Sequence, residues 1–470
     1  MSHGEKQAVE AIEPPAADLS GSAAVEQPPS AGRFRAFAAR LYRSPTVWVV
    51  AGLAGSNLIA TLVHAVGALV QANFVRPDDL GYFRGFTIAT GYLYFFQLGT
   101  LEALQRRYPI LVGRDQRAAA LAAAEVTRAW SLTLCWIVGA GYAAAAAYCL
   151  AAGNLYAMGA WLVQIAMYLW MVYGNYLGVT YRTNHQFRDV AKSSLMASVT
   201  SLLTLPLFPL WPYWAMCARA GLVSLAQTAY QHLRRPLRLG WRFSWAQWRS
   251  LVAEGIPIFS AYYVQAVGWL TVEGTLILRF VGPEALGLWS MSLMVMEAAR
   301  QIPLGGTTVY IPRIEEHFGR TGSARACWAL ARRPMLLNLA GALALAAVAY
   351  AALPWVIGLM MPKYVAAVPC MQLMLLYLPL AALELPFYIL RAMGKIVAQN
   401  IAAIVGIGVF LAAAAGSLWC GWGLAGVVGA SMLGKAVWLI CVYGFVCHWR
   451  DFESFSQDNT QPVAVDEGIG

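Results

Sequence analysis

Phe74 to Phe83 reads FVRPDDLGYF, and Phe280 to Trp289 reads FVGPEALGLW. The second phrase begins 206 positions after the first (280 − 74), and that offset pairs Val75 with Val281, Pro77 with Pro283, Leu80 with Leu286 and Gly81 with Gly287. It continues without a gap: Leu98 meets Leu304, Gly99 meets Gly305, Arg107 meets Arg313, Gly113 meets Gly319 and Arg114 meets Arg320. Turn chemistry alone can generate one Pro-x-x-x-Gly match. It does not hold a register through a following apolar segment and its basic loop. The chain therefore contains two homologous halves.

Each half is built from membrane spans. Hydrophobic residues make up 59% of the sequence and charged residues 12%, against about 25% charged in soluble proteins. Runs of about 20 apolar residues, the length that crosses a bilayer, recur from Val47 to Cys447. Twelve spans are expected, at roughly 46–72, 83–104, 127–150, 155–180, 191–211, 214–231, 252–279, 288–311, 334–360, 366–391, 397–419 and 424–447. The short alternating segments of a transmembrane β-barrel are not present. Six spans per half is an even number, so both halves enter the membrane in the same direction. This predicts an all-α polytopic membrane protein of two parallel six-helix repeats, with a site between them near the midplane. Pro77 and Pro283 are expected to end the first helix of each half, and Gly81 and Gly287 to let the chain turn back into the second.

Loop charge sets the orientation. The segments RRYPILVGRDQR, YRTNHQFRDVAK, HLRRPLRLGWRFSWAQWR, IPRIEEHFGRTGSARACWALARR and RAMGK all follow even-numbered spans, whereas AAGNLYAMGA, PLWPYW and CGWG carry no charge. The positive-inside rule then puts both termini in the cytoplasm. It also accounts for most of the net charge of +10 without invoking nucleic acid. The expected organisation is a disordered tail at 1–32, a first lobe at 33–231, a basic linker at 232–250, a second lobe at 251–448 and a tail at 449–470. The tail 1–32 has no signal-peptide pattern. Arg33 to Arg43, RFRAFAARLYR, suits either a helix on the anionic inner surface or an ordinary basic flank. The eight cysteines and six histidines show no metal-ligand spacing, so no metal site or cofactor is expected.

The stretch WLTVEGTLILRFVGPEALGLWSMSLMV followed by YIPRIEEHFGRTG, together with FVRPDDLGYF, RYPILVGRD, EGIPIF, LRAMGK and GWGLAGVVGA, resembles the polysaccharide or O-antigen (Wzx-type) flippases of the multidrug, oligosaccharidyl-lipid and polysaccharide exporter superfamily. The likeness runs from about Val47 to Val446. It implies a MATE-like pair of lobes around a central cavity in the bacterial inner membrane. The implied activity moves a polyprenyl-diphosphate-linked glycan to the outer leaflet, alongside other polysaccharide assembly proteins and with a proton or sodium gradient as the drive. Members often carry an acidic then a basic residue where this chain has Glu273 and Gly274; Gly274 departs from that pattern.

Function is expected where charge lies inside the membrane, because an ionisable side chain at a helix centre costs about 2.5–3.5 kcal/mol on insertion scales. Arg300, Lys435, Arg219 and Arg128 are candidates to line a cavity for diphosphate and sugar, Arg by bidentate contacts and Lys as a point charge. Glu273, Glu297, Glu384 and Glu125 are candidates for ion coupling or for pairing with those cations. Glu297 with Arg300, and Glu125 with Arg128, stand three residues apart and can neutralise each other. Trp269, Tyr262 and Tyr263 could stack on sugars or serve packing. Arg84, Arg279 and Glu102 lie near span ends and are not singled out. A multidrug antiporter of the same superfamily is the alternative. A glycan polymerase or ligase would need a site on outward loops that are short here, so an enzyme is not expected.

Overall fold

The computed structural model describes residues 60, 63, 65–184 and 186–450. Residues 1–32, the basic segment Arg33 to Arg43 and all but the start of 449–470 lie outside them. The first repeat comprises α1 (Ala65–Phe74), α2 (Pro77–Leu93), α3 (Thr100–Gly113), α4 (Arg117–Ala151), α5 (Leu155–Leu169), α6 (Asn175–Thr183), α7 (Phe187–Leu203) and α8 (Pro212–Leu233). The second comprises α9 (Trp245–Tyr262), α10 (Trp269–Phe280), α11 (Pro283–Thr321), α12 (Ala324–Met360), α13 (Val368–Met374), α14 (Tyr377–Ala382), α15 (Leu385–Ala392), α16 (Ile396–Trp419) and α17 (Gly423–Arg450). No strand occurs among the described residues. Among the described residues, seven helical stretches are long and apolar enough to cross a membrane: Arg117–Ala151, Leu155–Thr183, Phe187–Leu207, Ala324–Met360, Pro362–Ala382, Ile396–Trp419 and Gly423–Trp449. The chain is a multi-pass, all-helical membrane protein.

The other expected spans are helical where described, but interrupted or more polar. Between α2 and α3 the chain tightens at Tyr94–Gln97 and then breaks, with Leu98 and Gly99 both at positive φ (52° and 74°). Its counterpart Gly305 lies inside the continuous 39-residue α11. The repeats therefore share a sequence register but not a helix geometry. Two other spans carry a π-helical turn, Trp170–Gly174 between α5 and α6 and Tyr263–Gly268 between α9 and α10.

The repeated Pro-x-x-x-Gly phrase does something other than expected. Pro77 and Pro283 do not end the preceding helices. Each stands in the first turn of the next one, α2 and α11, where its missing N–H would have had no helical partner anyway. Gly81 and Gly287 are ordinary helical residues, and the turn of the second repeat uses Gly282 at φ 118°. The two glycines instead bring the repeats into backbone contact. A Cβ on Gly81 would run into the carbonyl of Pro283, and a Cβ on Gly287 into the carbonyl of Pro77. The twofold relation read from the offset is thus a physical crossing of α2 and α11.

Further polar contacts join the repeats on the same loop-poor face. Asn73 Nδ2 donates to the Met360 carbonyl (2.9 Å), Lys363 Nζ to that of Phe74 (3.0 Å) and the Tyr364 hydroxyl to that of Val75 (3.3 Å). Towards the basic face, the α2–α3 break fits against α9. Gly99 and Gly255 each leave room for the other's backbone, and Arg107 Nη1 donates to Ser250 Oγ (3.0 Å). Trp248 and Leu251 of α9 are buried with Leu101, Leu104 and Tyr173 of the first repeat. Beyond the π-turn, Trp269 and Ile277 of α10 are buried with Phe410 and Val427 of the second.

A side chain at the crossing must separate the backbones. Gly81→Leu is expected to destabilise the detergent-solubilised protein by about 1–3 kcal/mol, the usual range for overpacking. Gly429→Ala, where a Cβ meets nothing within 4 Å, should leave the melting temperature unchanged. Thermal unfolding of the two variants beside the parent checks this.

Candidate functional site

The densest intramembrane charge lies in the second repeat. Glu273 of α10 is 1% exposed and accepts two hydrogen bonds, from Trp289 Nε1 (2.8 Å) on α11 and Ser431 Oγ (2.7 Å) on α17. Ser431 in turn accepts from Trp269 Nε1 (2.9 Å). This chain of donors satisfies a carboxylate that has left water. One helical turn along α17, Lys435 projects from the same helix face as Ser431.

Lys435 meets an aromatic ring rather than a carboxylate. Its Nζ lies 4.1 Å from the ring centroid of Tyr377, and the Arg300 guanidinium carbon lies 5.8 Å from the same centroid. A cation over an aromatic face gains about 2 kcal/mol or more when desolvated. The Tyr377 hydroxyl donates to Glu384 Oε1 (2.9 Å), so one ring gathers two cations and a carboxylate. Arg300 is also paired with Glu297, Nη2 to Oε2 at 3.1 Å. Lys435 forms no ion pair among the described residues. With all groups charged, the cluster holds three carboxylates, Glu273, Glu297 and Glu384, and two cations, Arg300 and Lys435.

Arg219 stands apart, in the first repeat. It is 9% exposed; Nε donates to Ser201 Oγ (2.9 Å) and Nη1 to Gln71 Oε1 (3.3 Å). No carboxylate pairs with it among the described residues.

Arg128 and Glu125 face the link between the repeats instead of each other. Arg128 Nη1 donates to the carbonyls of Leu239 (2.7 Å) and Gly240 (2.9 Å). Glu125 lines a cavity of about 450 Å³ with Arg242, Phe243, Ser244 and Gln247. His232 continues this clamp, with Nδ1 2.7 Å from the Tyr173 hydroxyl and Nε2 2.7 Å from Arg235 Nη1. A guanidinium can only donate, so Nε2 accepts and the proton of the neutral ring sits on Nδ1. Trp248 then packs between Trp130 and Trp245, with centroids 4.9 and 4.6 Å away.

The aromatic candidates divide. Trp269 is buried and stacked on Phe410 (5.4 Å), the Tyr263 hydroxyl donates to the Gly91 carbonyl (3.1 Å), and Tyr262 is exposed. Tyr377 was not readable as a member of the site: its seven-residue distance from Glu384, about two turns, was the only local signal. Arg84 was also passed over. It stands three residues into α2 beyond the Gly81 crossing, half-buried, with no hydrogen bond or ion pair among the described residues.

The fold is MATE-like. It is similar to an inward-facing conformation of a multidrug resistance MATE family transporter of the MOP superfamily (TM-score 0.68, 11% identity, 84% of this chain and 96% of that one). It is also similar to the lipid II flippase MurJ in an inward closed conformation (0.61, 10%, 84% and 87%) and to an outward-facing MATE family transporter (0.59, 14%, 88% and 99%). No protein-family model and no curated protein sequence matches this chain.

The linker clamp is directly testable. Arg128→Ala releases two carbonyl contacts, so trypsin is expected to cut the segment holding Arg234, Arg235, Arg238 and Arg242 several-fold faster than in the parent. Limited proteolysis of the detergent-solubilised protein reads the rate.

Proposed function

We propose that this chain is a flippase that moves a polyprenyl-diphosphate-linked glycan from the cytoplasmic to the outer leaflet of a bacterial inner membrane, with its basic loops and both termini in the cytoplasm. The observation that carries this reading is intramembrane cation placement: among the described residues, Arg219 and Arg84 have no carboxylate partner, and Lys435 lies on a tyrosine ring and forms no ion pair. A diphosphate cannot leave water without replacement donors. Arginine offers a planar fork matched to phosphate, and lysine a compact charge. The polyprenyl tail stays in lipid while the repeats rock about their crossing.

The carboxylates supply the coupling. Three carboxylates against two cations leave the second-repeat cluster one positive charge short, and a proton or a sodium ion makes up the difference. The same deficit is what favours the second reading, a multidrug antiporter, since it would also accept a cationic drug. Arg219 and Arg84 of the first repeat, without a carboxylate partner among the described residues, favour an anionic substrate.

Replacing Arg300 and Lys435 together by Gln is expected to abolish glycan export at unchanged protein level, with complete diphosphate-linked units accumulating on the inner leaflet. The check is the pool and sidedness of lipid-linked oligosaccharides in cells with the parent, the variant or neither. Unchanged pools in cells lacking the protein, combined with new drug sensitivity, would select the antiporter. In vesicles, Glu384→Gln should make transport independent of an imposed proton or sodium gradient.

A further inference from the structure

The cavity of about 450 Å³ beside the linker shares no residue with the second-repeat charge cluster and falls within the ~300–1,000 Å³ of small-molecule sites. Glu125 enters it from α4, whereas Arg242, Phe243, Ser244 and Gln247 come from the end of the linker and the first turn of α9. A Cβ on Gly240 would stand 4.0 Å from Glu125 Oε1, so the carboxylate faces the linker backbone. No ion pair joins Glu125 to Arg242 among the described residues. The cavity thus carries one negative and one positive group on separate walls, together with a hydroxyl and an amide. Ser244 Oγ accepts from Gln247 N (3.5 Å), and the hydroxyl keeps its own hydrogen to donate.

The walls of this cavity belong to the boundary of the bilayer. The 35 residues of α4 run about 52 Å at 1.5 Å each, well beyond a hydrocarbon core of about 30 Å. Glu125 lies between the exposed Arg117 at one end and the exposed Trp136 and Ile137 further along. In the linker and the start of α9, exposed Arg234, Arg238, Arg242 and Arg249 alternate with exposed Trp241, Phe243 and Trp245. The positive-inside rule explains the arginines alone. Exposed aromatic rings among them mark the headgroup layer, where an amphipathic ring meets hydrocarbon on one side and water on the other.

We propose that this cavity binds the head of an aminophospholipid, with the phosphate on Arg242, Ser244 and Gln247 and the ammonium on Glu125. A guanidinium suits phosphate, and a primary ammonium brings N–H donors to a carboxylate. A pocket of arginines alone would take an anionic lipid. Glu125 shifts the preference to a head that carries both charges, and a quaternary ammonium, which has no N–H, fits it less well. Arg128 holds the linker wall in place through the Leu239 and Gly240 carbonyls. Because α4 belongs to the first repeat and α9 to the second, a bound head bridges the two. The site does not depend on what the protein transports.

The test titrates the full-length protein, stripped of lipid in detergent, with phosphatidylethanolamine, phosphatidylglycerol and phosphatidylcholine of matched acyl chains, and counts bound lipid by native mass spectrometry. The parent is expected to bind phosphatidylethanolamine about tenfold more tightly than either other lipid, the worth of one charge-assisted hydrogen bond. Glu125→Gln should erase that advantage and leave phosphatidylglycerol bound as tightly or more so; Arg242→Gln should weaken all three. Gln247→Glu, at an exposed position of α9, should weaken phosphatidylethanolamine by setting a second carboxylate beside the phosphate. Melting temperatures equal to the parent's without lipid mark these losses as lost binding. A parent that prefers phosphatidylglycerol, or has no preference, overturns the proposal and leaves an ordinary basic flank. So does a preference for phosphatidylethanolamine that survives in Glu125→Gln or in Gln247→Glu. Equally tight binding of glycerophosphoethanolamine, the same head without chains, overturns the membrane lipid as occupant.

Discussion

A charge within hydrocarbon has to be answered by the protein or its ligand, because lipid offers nothing to replace water. That constraint organises this molecule. Glu273 draws donors from α11 and α17, Glu384 takes the Tyr377 hydroxyl, and Arg300 takes Glu297. The Glu273 contacts tie α10 to α11 and to the distant α17, whereas the Glu384 and Arg300 contacts are local in sequence; together they keep ionisable groups in the membrane. Net stabilisation from such networks is small, since desolvation offsets most of the Coulombic gain. Their value lies in what they hold ready.

Much of the architecture was legible because it rests on periodic or repeated features. Long apolar runs, loops of alternating charge and a register of 206 held over two segments are properties that neighbouring residues express together. The role of Pro-x-x-x-Gly was misread because its local meaning and its tertiary meaning differ. As a local signal it is a turn; in the fold, Pro77 starts a helix and Gly81 admits the backbone of another. The break at Leu98 and Gly99 was hidden for the same reason, since Gly305 occupies the matching place in an unbroken helix.

The candidate site was less legible still. Its charged members stand out against an apolar background, but charge alone does not say what each faces. Arg128 holds a linker, Arg300 a carboxylate, Lys435 a ring and Arg219 two neutral side chains. Tyr377, which links Lys435, Arg300 and Glu384, is one of 22 tyrosines, and only three-dimensional placement distinguishes it.

The stretch from α9 to α10 serves both repeats along its whole length. Before the π-helical turn at Tyr263–Gly268 it buries Trp248 and Leu251 against the first repeat while Ser260 Oγ donates to Asn400 Oδ1 (3.0 Å) of α16; after the turn Trp269 and Ile277 are buried with the second repeat while the Thr275 hydroxyl lies 2.9 Å from that of Tyr92 in the first. The boundary between the repeats therefore runs along this stretch and is not confined to the loop before it, so a substitution here acts on both repeats at once.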